Sequence, residues 1–314
     1  MEIINQCPLC GSDKLTKFYQ GIDRYYSGEE VECSACRDCS LILLNPRLTE
    51  EEYKNWYESV FQNKRRNIET VEQVVAGIKK KNKYQKKLKE LKYFKNYINK
   101  NARCLEIGAG WGTLAKAVKD NFHCEIDLIE PSKLGAKVAR EYFKLKVYND
   151  TFNNFFSSKQ NELKYNLIYA YHVFEHISDP NEFLEKIKNL LKDNGKILLA
   201  LPNTLKPEQP SERLFHIDHC FYYTPETLEF MLNKHGFKII KLWQCATDMK
   251  VICQFEKNLA VNDFYNQELN IVKKRIIKMD KKYKILRFIK RVVYFPLNSD
   301  QRERINKIIF KYKK

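Results

Sequence analysis

Short apolar runs alternate with amphipathic stretches through the middle of the chain. Residues 104–107, 125–129, 165–170 and 195–201 have the composition of buried strands, and residues 113–119, 181–191 and 225–235 have apolar positions at helical spacing. Strands that alternate with helices form parallel sheets. After them, residues 238–244 and 249–256 are predicted to form an antiparallel pair, so the pattern predicts an α/β core.

Two Cys-x-x-Cys pairs near the amino terminus indicate a metal site. Cys7 with Cys10 and Cys36 with Cys39 supply four thiolates at the spacing of structural zinc sites. Cys33 stands at the same spacing before Cys36, but we favour Cys39 because an apolar run follows it directly. Four sulfur ligands leave no open position, so the predicted Zn²⁺ is structural. The alternative is a cluster of reduced thiols without metal.

A glycine-rich loop follows the first predicted strand of the core. Gly108, Gly110 and Gly112 come after Glu106, and a second acid, Glu130, ends the next strand. Glycines there let the backbone approach a ligand closely, and an acid in the second position accepts hydrogen bonds from ribose hydroxyls. The loop departs from the Gly-x-Gly-x-x-Gly of dinucleotide sites, and an acid facing it repels a pyrophosphate. The pattern favours a nucleotide cofactor without phosphates, and S-adenosylmethionine fits that description.

In these motifs the chain resembles the class I S-adenosylmethionine-dependent methyltransferases, specifically the branch with an N-terminal zinc ribbon. The resemblance runs from Cys7 to about Trp243, and includes Leu-Glu-Ile-Gly-Ala-Gly-Trp-Gly from Leu105 and His-Val-Phe-Glu-His-Ile-Ser-Asp-Pro from His172. Ser40 stands where the family usually has glycine. The resemblance implies a doubly wound, seven-stranded Rossmann-like methyltransferase sheet.

The resemblance also assigns cofactor contacts. Glu106 and the glycine loop would surround the methionine part, Glu130 would bind the ribose, and Asp150 with Thr151 would contact the adenine, while two residues after the fourth strand would line the floor. The full set that it implies for S-adenosylmethionine is Glu106, Gly108, Ala109, Gly110, Gly112, Glu130, Pro131, Ser132, Asp150, Thr151, His172 and Val173.

Two clusters of titratable residues are candidates for the chemistry of methyl transfer. One is His216, Asp218 and His219, which follow the fifth strand, where this fold builds its acceptor pocket. We predict His219 as the general base, with His216 as its nearest rival and His176 as a further candidate. The alternative for residues 216–219 is a polar edge strand of the sheet.

The other cluster is His172, Glu175 and His176, which share one face of a helical turn. Its spacing is similar to the Glu-x-x-Glu-His of ubiquinone-pathway O-methyltransferases, in which the acids and histidine can hold a divalent ion. His172 replaces the first acid, so we expect Glu175 and His176 to pair with each other around the loop that follows.

The distribution of charge distinguishes a basic C-terminal segment and so completes the prediction of domains. The 314 residues carry a formal charge of +17, and residues 257–314 contain seventeen Lys or Arg against five Asp or Glu. We predict a zinc ribbon (1–47), a helical lid (48–100) whose lysines form a solvated face, a methyltransferase core (101–256) and a basic amphipathic tail (257–314). The tail either attaches peripherally to an anionic membrane or packs as helices on the core.

The resemblance implies methylation of a small molecule, a sugar or glycan precursor of surface polysaccharide, and the residue usage indicates a bacterial cell. A membrane-seeking tail would suit a lipid-linked acceptor. Residues 1–7 lack a signal peptide and no run reaches the ~18 apolar residues of a membrane span, which predicts a cytoplasmic location, with peripheral contact at the inner membrane face. The alternatives are a nucleic-acid methyltransferase, which we do not favour because no base-flipping tetrapeptide is present, and a non-catalytic zinc-dependent binding module.

Overall fold

The computed structural model describes residues 1–56, 70–159, 162–245, 247–257, 259 and 268–294, with backbone only for Lys54 and residues 289–294. The strands are β1 (Leu15–Ile22), β2 (Glu30–Cys36), β3 (Ile42–Leu44), β4 (Arg103–Ile107), β5 (Glu125–Ile129), β6 (Lys146–Tyr148), β7 (Tyr165–Tyr171), β8 (Leu191–Pro202), β9 (Phe221–Tyr222), β10 (Phe237–Gln244) and β11 (Asp248–Phe255). The helices are α1 (Glu50–Trp56), α2 (Val71–Lys80), α3 (Lys83–Leu88), α4 (Thr113–Phe122), α5 (Lys133–Glu141), α6 (Phe152–Lys159), α7 (Pro180–Leu190), α8 (Ser211–Leu214), α9 (Pro225–Lys234) and α10 (Glu268–Tyr294).

The main sheet has seven strands in the order β10-β11-β8-β7-β4-β5-β6. Strands β4 to β8 run parallel, and β11 and β10 close one edge as an antiparallel pair. This confirms the predicted doubly wound, seven-stranded α/β sheet. The chain adds strands on one side of β4 and then on the other, so the carboxyl end of β4 lies at a topological switch point, where open α/β sheets bind ligands.

Both faces of the main sheet are covered by apolar packing. On one face, side chains such as Cys104 and Leu128 pack against α4 and α5. On the other, Leu105 and Leu199 belong to a cluster with α6, α7 and α9. Parallel strands that are buried on both faces have continuous apolar sequences, which is why these strands could be recognised without alternation.

The N-terminal segment forms a second sheet of four strands, in the order β1-β2-β3-β9. Its last strand comes from much later in the chain, since Ile42 pairs with Tyr222 and Leu43 with Phe221. The sheet therefore extends beyond the predicted boundary at residue 47. Residues 216–219 form a loop before β9 and not an edge strand of the main sheet.

The segment before β4 is helical, but in short pieces. A capping box at Thr70 starts α2, and Asn82, with a φ of 48°, separates α2 from α3. A non-glycine residue in the left-handed region interrupts a right-handed helix, so the helical spacing of residues 78–100 gives α3 and a 3₁₀ turn at Leu91–Tyr93 instead of one long helix. Helix α3 lies against α4.

The described part of the basic tail packs on the N-terminal sheet. Val272 and Ile276 of α10 are buried in a cluster that includes β2 and β3. The backbone N–H of Ser211 donates to Asp280 over 2.7 Å, and Arg287 lies 2.8 Å from Glu212. Residues 295–314, where the basic pattern was predicted to resume, lie outside the described residues. Within the described chain, every helix is too short or too polar to cross a bilayer.

A buried carboxylate joins four strands at the end of the sheet opposite the glycine loop. Asp127 accepts hydrogen bonds from Arg103 on β4 and Tyr165 on β7, and Lys146 on β6 lies 2.8 Å from its second oxygen. Burial raises the pKa of Asp127, but the hydrogen bonds from Lys146, Arg103 and Tyr165 outweigh it and hold the pKa below its usual value. The carboxylate therefore stabilises the sheet in its charged form.

We expect Asp127→Asn to lower the free energy of unfolding at pH 7 by about 2–3 kcal/mol, because it leaves two cations without their shared anion. A depressed carboxyl pKa contributes stability above the usual aspartate range and loses it as the pH falls through the folded-state pKa. The difference between the two proteins in urea unfolding should therefore shrink in acid. A difference that stays constant down to pH 3 would contradict this assignment.

Candidate active site

The loop between β4 and α4 comes close to two neighbouring segments. Gly108, Gly110 and Gly112 have φ values of 67°, 55° and 73°, in the region that favours glycine. A Cβ on Gly108 would lie 2.5 Å from the side chain of Val173, and one on Gly112 would lie 2.8 Å from Ala139 of α5. A Cβ on Gly110 would meet nothing within 4 Å, so this glycine faces open space.

A second buried carboxylate fixes the position of this loop. Glu130, at the end of β5, accepts a hydrogen bond from the backbone N–H of Gly110 over 2.6 Å and another from Ser132 over 2.8 Å. The residue is 1% exposed, and burial raises its pKa to about 7 despite these two bonds. Each carboxylate oxygen has a second lone pair, which remains for a ligand hydroxyl.

Glu106 is the other buried acid next to the loop. It lies on β4, is 3% exposed and accepts a hydrogen bond from the Tyr169 hydroxyl over 3.2 Å. Burial raises its pKa to about 8, and the nearby cation of Lys87 acts in the opposite direction. A buried carboxyl beside a lysine suits a ligand that carries both an amino and a carboxylate group.

These residues border a cavity of about 590 Å³ at the switch point of the sheet. The predicted cofactor residues that line it are Glu106, Gly108, Ala109, Gly110, Glu130, Ser132 and His172. The other predicted residues lie outside its lining. Val173 and Gly112 pack behind the loop, and Thr151 instead borders a separate cavity of about 370 Å³.

Asp150 and Pro131 accept hydrogen bonds from residues close to them. The carboxylate of Asp150 accepts hydrogen bonds from the backbone N–H of Thr151 and from Asn154, each over 2.8 Å. Pro131 is exposed, and its carbonyl accepts a hydrogen bond from Asn149. An adenine contact by Asp150 or Thr151 therefore stays a prediction.

The lid was predicted to cover the cofactor, but the contribution of its charged side chains to the cavity was not predicted. Helix α3 and the residues around it were interpreted as a solvated face, but several of their charged side chains border the cavity, together with aromatic residues of the loop and of β7. The missed lining residues include Lys81, Lys83, Lys86, Lys87, Glu90, Trp111 and Tyr171. A dense run of lysines without paired acids was the available signal.

His172 connects the first cavity with a second one of about 740 Å³. Its ring lies 3.3 Å from Glu175 and 3.4 Å from Asp248 on β11. Burial lowers the pKa of His172, but the two carboxylates outweigh this and raise it to about 10. The ring is therefore cationic at neutral pH and unsuited to act as a base.

The three predicted catalytic histidines, His176, His216 and His219, all line the second cavity. His219 lies between the others, with ring centroids 4.0 Å from His216 and 4.7 Å from His176. His216 Nδ1 is hydrogen-bonded to the carboxylate of Asp218. Burial lowers the pKa of His219 well below its usual value, and the three neighbouring histidines lower it further, so its ring is neutral.

The expected pairing of Glu175 with His176 is wrong. These residues do share a 3₁₀ turn at Phe174–His176, but Glu175 faces His172, and His176 Nδ1 lies 2.5 Å from the backbone carbonyl of Asp218. The reason is that the loop after α8 folds over this turn. Asp179, which was expected to lie in the capped loop, instead accepts a hydrogen bond from the backbone N–H of Glu182 as the N-cap of α7.

The four N-terminal cysteines of the predicted zinc site come together. Cys7, Cys10, Cys36 and Cys39 have sulfur atoms within 4.8 Å of one another, with Cys7 and Cys39 at 3.4 Å. Tetrahedral zinc with ~2.3 Å Zn–S bonds places its sulfurs about 3.8 Å apart, so this set fits the ion. Cys33 belongs to a different cluster, packed with Phe215 and Val272. Ser40 has a φ of 61°, which explains the usual glycine at this position.

The chain is similar to known methyltransferases. A family model described as a methyltransferase domain matches residues 79–242. An uncharacterized protein of Methanocaldococcus jannaschii is 31% identical over 185 residues, which is 57% of this chain and 83% of that protein.

Solved structures of methyltransferases are also similar. A SAM-dependent methyltransferase from Aquifex aeolicus aligns over 54% of this chain and 89% of its own, with 17% identity and a TM-score of 0.43. An S-adenosylmethionine-dependent methyltransferase from Clostridium acetobutylicum aligns over 55% and 91%, with 13% identity and a TM-score of 0.43.

We expect Glu130→Gln to weaken binding of S-adenosylhomocysteine by roughly 10–100-fold, because an amide cannot accept from two backbone N–H groups with both of its terminal atoms. Isothermal titration calorimetry measures the change. Glu125→Gln is the matched control, since Glu125 begins the same strand but is exposed. Equal affinities for the two variants would exclude Glu130 from the cofactor site.

Proposed function

The chain belongs to the methyltransferase domain family, and we propose that this S-adenosylmethionine-dependent methyltransferase acts on a sugar or glycan precursor bound in the 740 Å³ cavity. The observation that supports this most is the position of His172, which borders both cavities and so brings the acceptor next to the cofactor. The bound cofactor supplies an electrophilic methyl group on a sulfonium.

The lining of the second cavity suits a polyhydroxylated acceptor. Three tyrosines, Tyr25, Tyr26 and Tyr283, offer ring faces, and Asn203, Lys206 and Arg213 are among the groups that can bond hydroxyl or phosphate oxygens. Tyrosine combines an apolar ring with a polar tip, a combination that suits the alternating faces of a sugar ring. The side-chain N–H₂ of Asn203 is buried without a hydrogen-bond partner among the described residues, and an acceptor hydroxyl could supply one.

The protein's part in the reaction is alignment and proton removal. Glu106 and the lid lysines would hold the amino-acid end of the cofactor, and Glu130 its ribose, while the glycine loop lets the backbone approach. An acceptor hydroxyl must lose its proton as the new bond to carbon forms. A histidine of the second cavity is therefore the general base.

Geometry favours His216 over His219 for this role. Asp218 is hydrogen-bonded to Nδ1 of His216, which leaves Nε2 as the nitrogen that can take a proton. A carboxylate that orients a histidine is a recurring arrangement of general bases. In His219 no such carboxylate bond is present among the described residues. His219 was predicted as the first candidate because the sequence does not reveal which histidine ring Asp218 binds.

We further propose that the four-cysteine cluster holds structural zinc and that the basic tail contacts an anionic surface or a lipid-linked acceptor. Helix α10 supplies Met279, Lys282 and Leu286 to the second cavity, so an acceptor in it would lie beside this helix. Exposed Ile285 and Phe288 lie next to lysines on the outer face. That combination of apolar and cationic groups suits a headgroup region.

Turnover tests the acceptor class. The protein is incubated with S-adenosylmethionine and a panel of nucleotide sugars, with RNA and DNA oligonucleotides as alternatives, and release of S-adenosylhomocysteine is measured. Methylation of a sugar is the expected result. Methylation of the oligonucleotides alone would contradict the proposal, and cofactor binding without turnover on any acceptor would favour a non-catalytic binding module.

With a sugar acceptor, His216→Ala should lower kcat by roughly 10²–10⁴-fold, because the proton loses its acceptor, while affinity for S-adenosylhomocysteine stays unchanged. His123→Asn is the control, since His123 is exposed at the end of α4 and its φ of 53° is tolerated by asparagine. If His216→Ala keeps full turnover, His216 is not the base.

Zinc is tested with Cys10→Ser, because Cys10 is exposed and the substitution leaves core packing intact. We expect loss of tightly bound zinc and a thermal midpoint lower by several degrees, since metal binding contributes to folding. Metal content and thermal unfolding are measured, with Cys245→Ser as the control. Full zinc retention in Cys10→Ser would contradict the assignment.

A further inference from the structure

The turn after β7 and the loop before β9 bring three metal-ligating side chains to one point. Glu175, His176 and His219 each offer a ligand atom, and these atoms lie within 4.8 Å of one another. All three residues line the 740 Å³ cavity. The group is separate from the four-cysteine cluster, and it joins two segments more than forty residues apart in the chain.

Glu175 is a buried acid whose carboxylate lacks hydrogen-bond donors among the described residues. It is 1% exposed, and neither carboxylate oxygen accepts a hydrogen bond from any described residue. Its charged neighbour, the ring of His172 at 3.3 Å, is shared with Asp248. An ionised carboxylate that is removed from water without hydrogen bonds is costly, unless a cation binds it.

His176 is oriented as a ligand. Its Nδ1 lies 2.5 Å from the backbone carbonyl of Asp218, so that nitrogen carries the proton and donates to the carbonyl. The tautomer leaves the lone pair on Nε2. Histidines that bind metals commonly donate their other ring N–H to a carbonyl or carboxylate in this way.

His219 completes the set, since no hydrogen bond joins its ring to another residue within the described ranges. Next to it, Asp218 is 2% exposed, and its Oδ2 lacks a hydrogen-bond partner among the described residues. His216, Asp218 and His219 also have ligand atoms within 4.8 Å of one another. A second buried carboxylate with an unpartnered oxygen therefore lies next to the proposed ligands.

We propose that Glu175, His176 and His219 bind a divalent transition-metal ion, whose remaining coordination positions are open to the acceptor cavity. Two imidazoles and one carboxylate suit Mn²⁺, Fe²⁺, Co²⁺ and Zn²⁺. His172 is excluded from the set because its ring is bound between Glu175 and Asp248.

The role of this ion rests on the proposed function, although its binding does not. A hydroxyl oxygen on a divalent ion has a lower pKa, so its proton passes more readily to His216. Methyl transfer then forms one oxygen–carbon bond and breaks the sulfur–carbon bond of the donor. The metal and His216 would act on the same oxygen from adjacent positions.

The test uses full-length protein whose four-cysteine site is already filled with zinc. Mn²⁺, and separately Zn²⁺ beyond the first equivalent, is titrated by calorimetry, and bound Mn²⁺ is counted by electron paramagnetic resonance. We expect one further ion per chain. Glu175→Gln and His219→Ala should each weaken its binding by at least about tenfold, and His123→Asn should leave it unchanged.

Binding of S-adenosylhomocysteine is measured on every variant and shows that each is folded. The proposal is overturned if neither Mn²⁺ nor additional Zn²⁺ binds, or if Glu175→Gln and His219→Ala bind the ion like the unmodified protein. Metal binding without cofactor binding would refute the proposed function and keep the metal site. Cofactor binding without metal binding would refute the metal site alone.

Discussion

The hydrogen bonds that Glu130 accepts from Gly110 and Ser132 hold together the part of the molecule on which the rest of the site depends. They join the loop after β4 to the turn after β5, so the backbone at the switch point has one position. With the loop fixed, Glu106, the lid lysines and His172 all line the same cavity. A buried acid that uses only part of its bonding capacity is suited both to organise a site and to bind within it.

The fold could be predicted because its signals are local. Parallel strands buried on both faces appear as apolar runs, and the spacing of glycines and cysteines marks the glycine loop and the four-cysteine cluster. The pairing of β9 with β3 could not be predicted, since two residues, Phe221 and Tyr222, give no periodicity and their partner is almost two hundred residues away. The break at Asn82 was equally hidden, because it depends on the left-handed conformation of one non-glycine residue, which the helical spacing of the segment does not reveal.

The sequence predicted which segments form the candidate site, but it did not predict which side chains bond to each other there. Sequence identified both histidine clusters, but a bond such as that of His216 to Asp218, or of His176 to a backbone carbonyl, depends on how two loops fold over each other. The lysines of the lid were missed for a related reason: charge on a helix indicates solvent unless its tertiary neighbour is known. For Glu175 the sequence likewise does not reveal that the acid is buried without hydrogen bonds, which only the three-dimensional structure shows.

We propose that the cavity at the switch point binds S-adenosylmethionine beside an acceptor. Calorimetric titration of the purified protein with S-adenosylmethionine, S-adenosylhomocysteine and NADH tests it most directly. We expect saturable binding of the first two at one site per chain and no binding of NADH. Binding of NADH, or of neither sulfur compound, would contradict it.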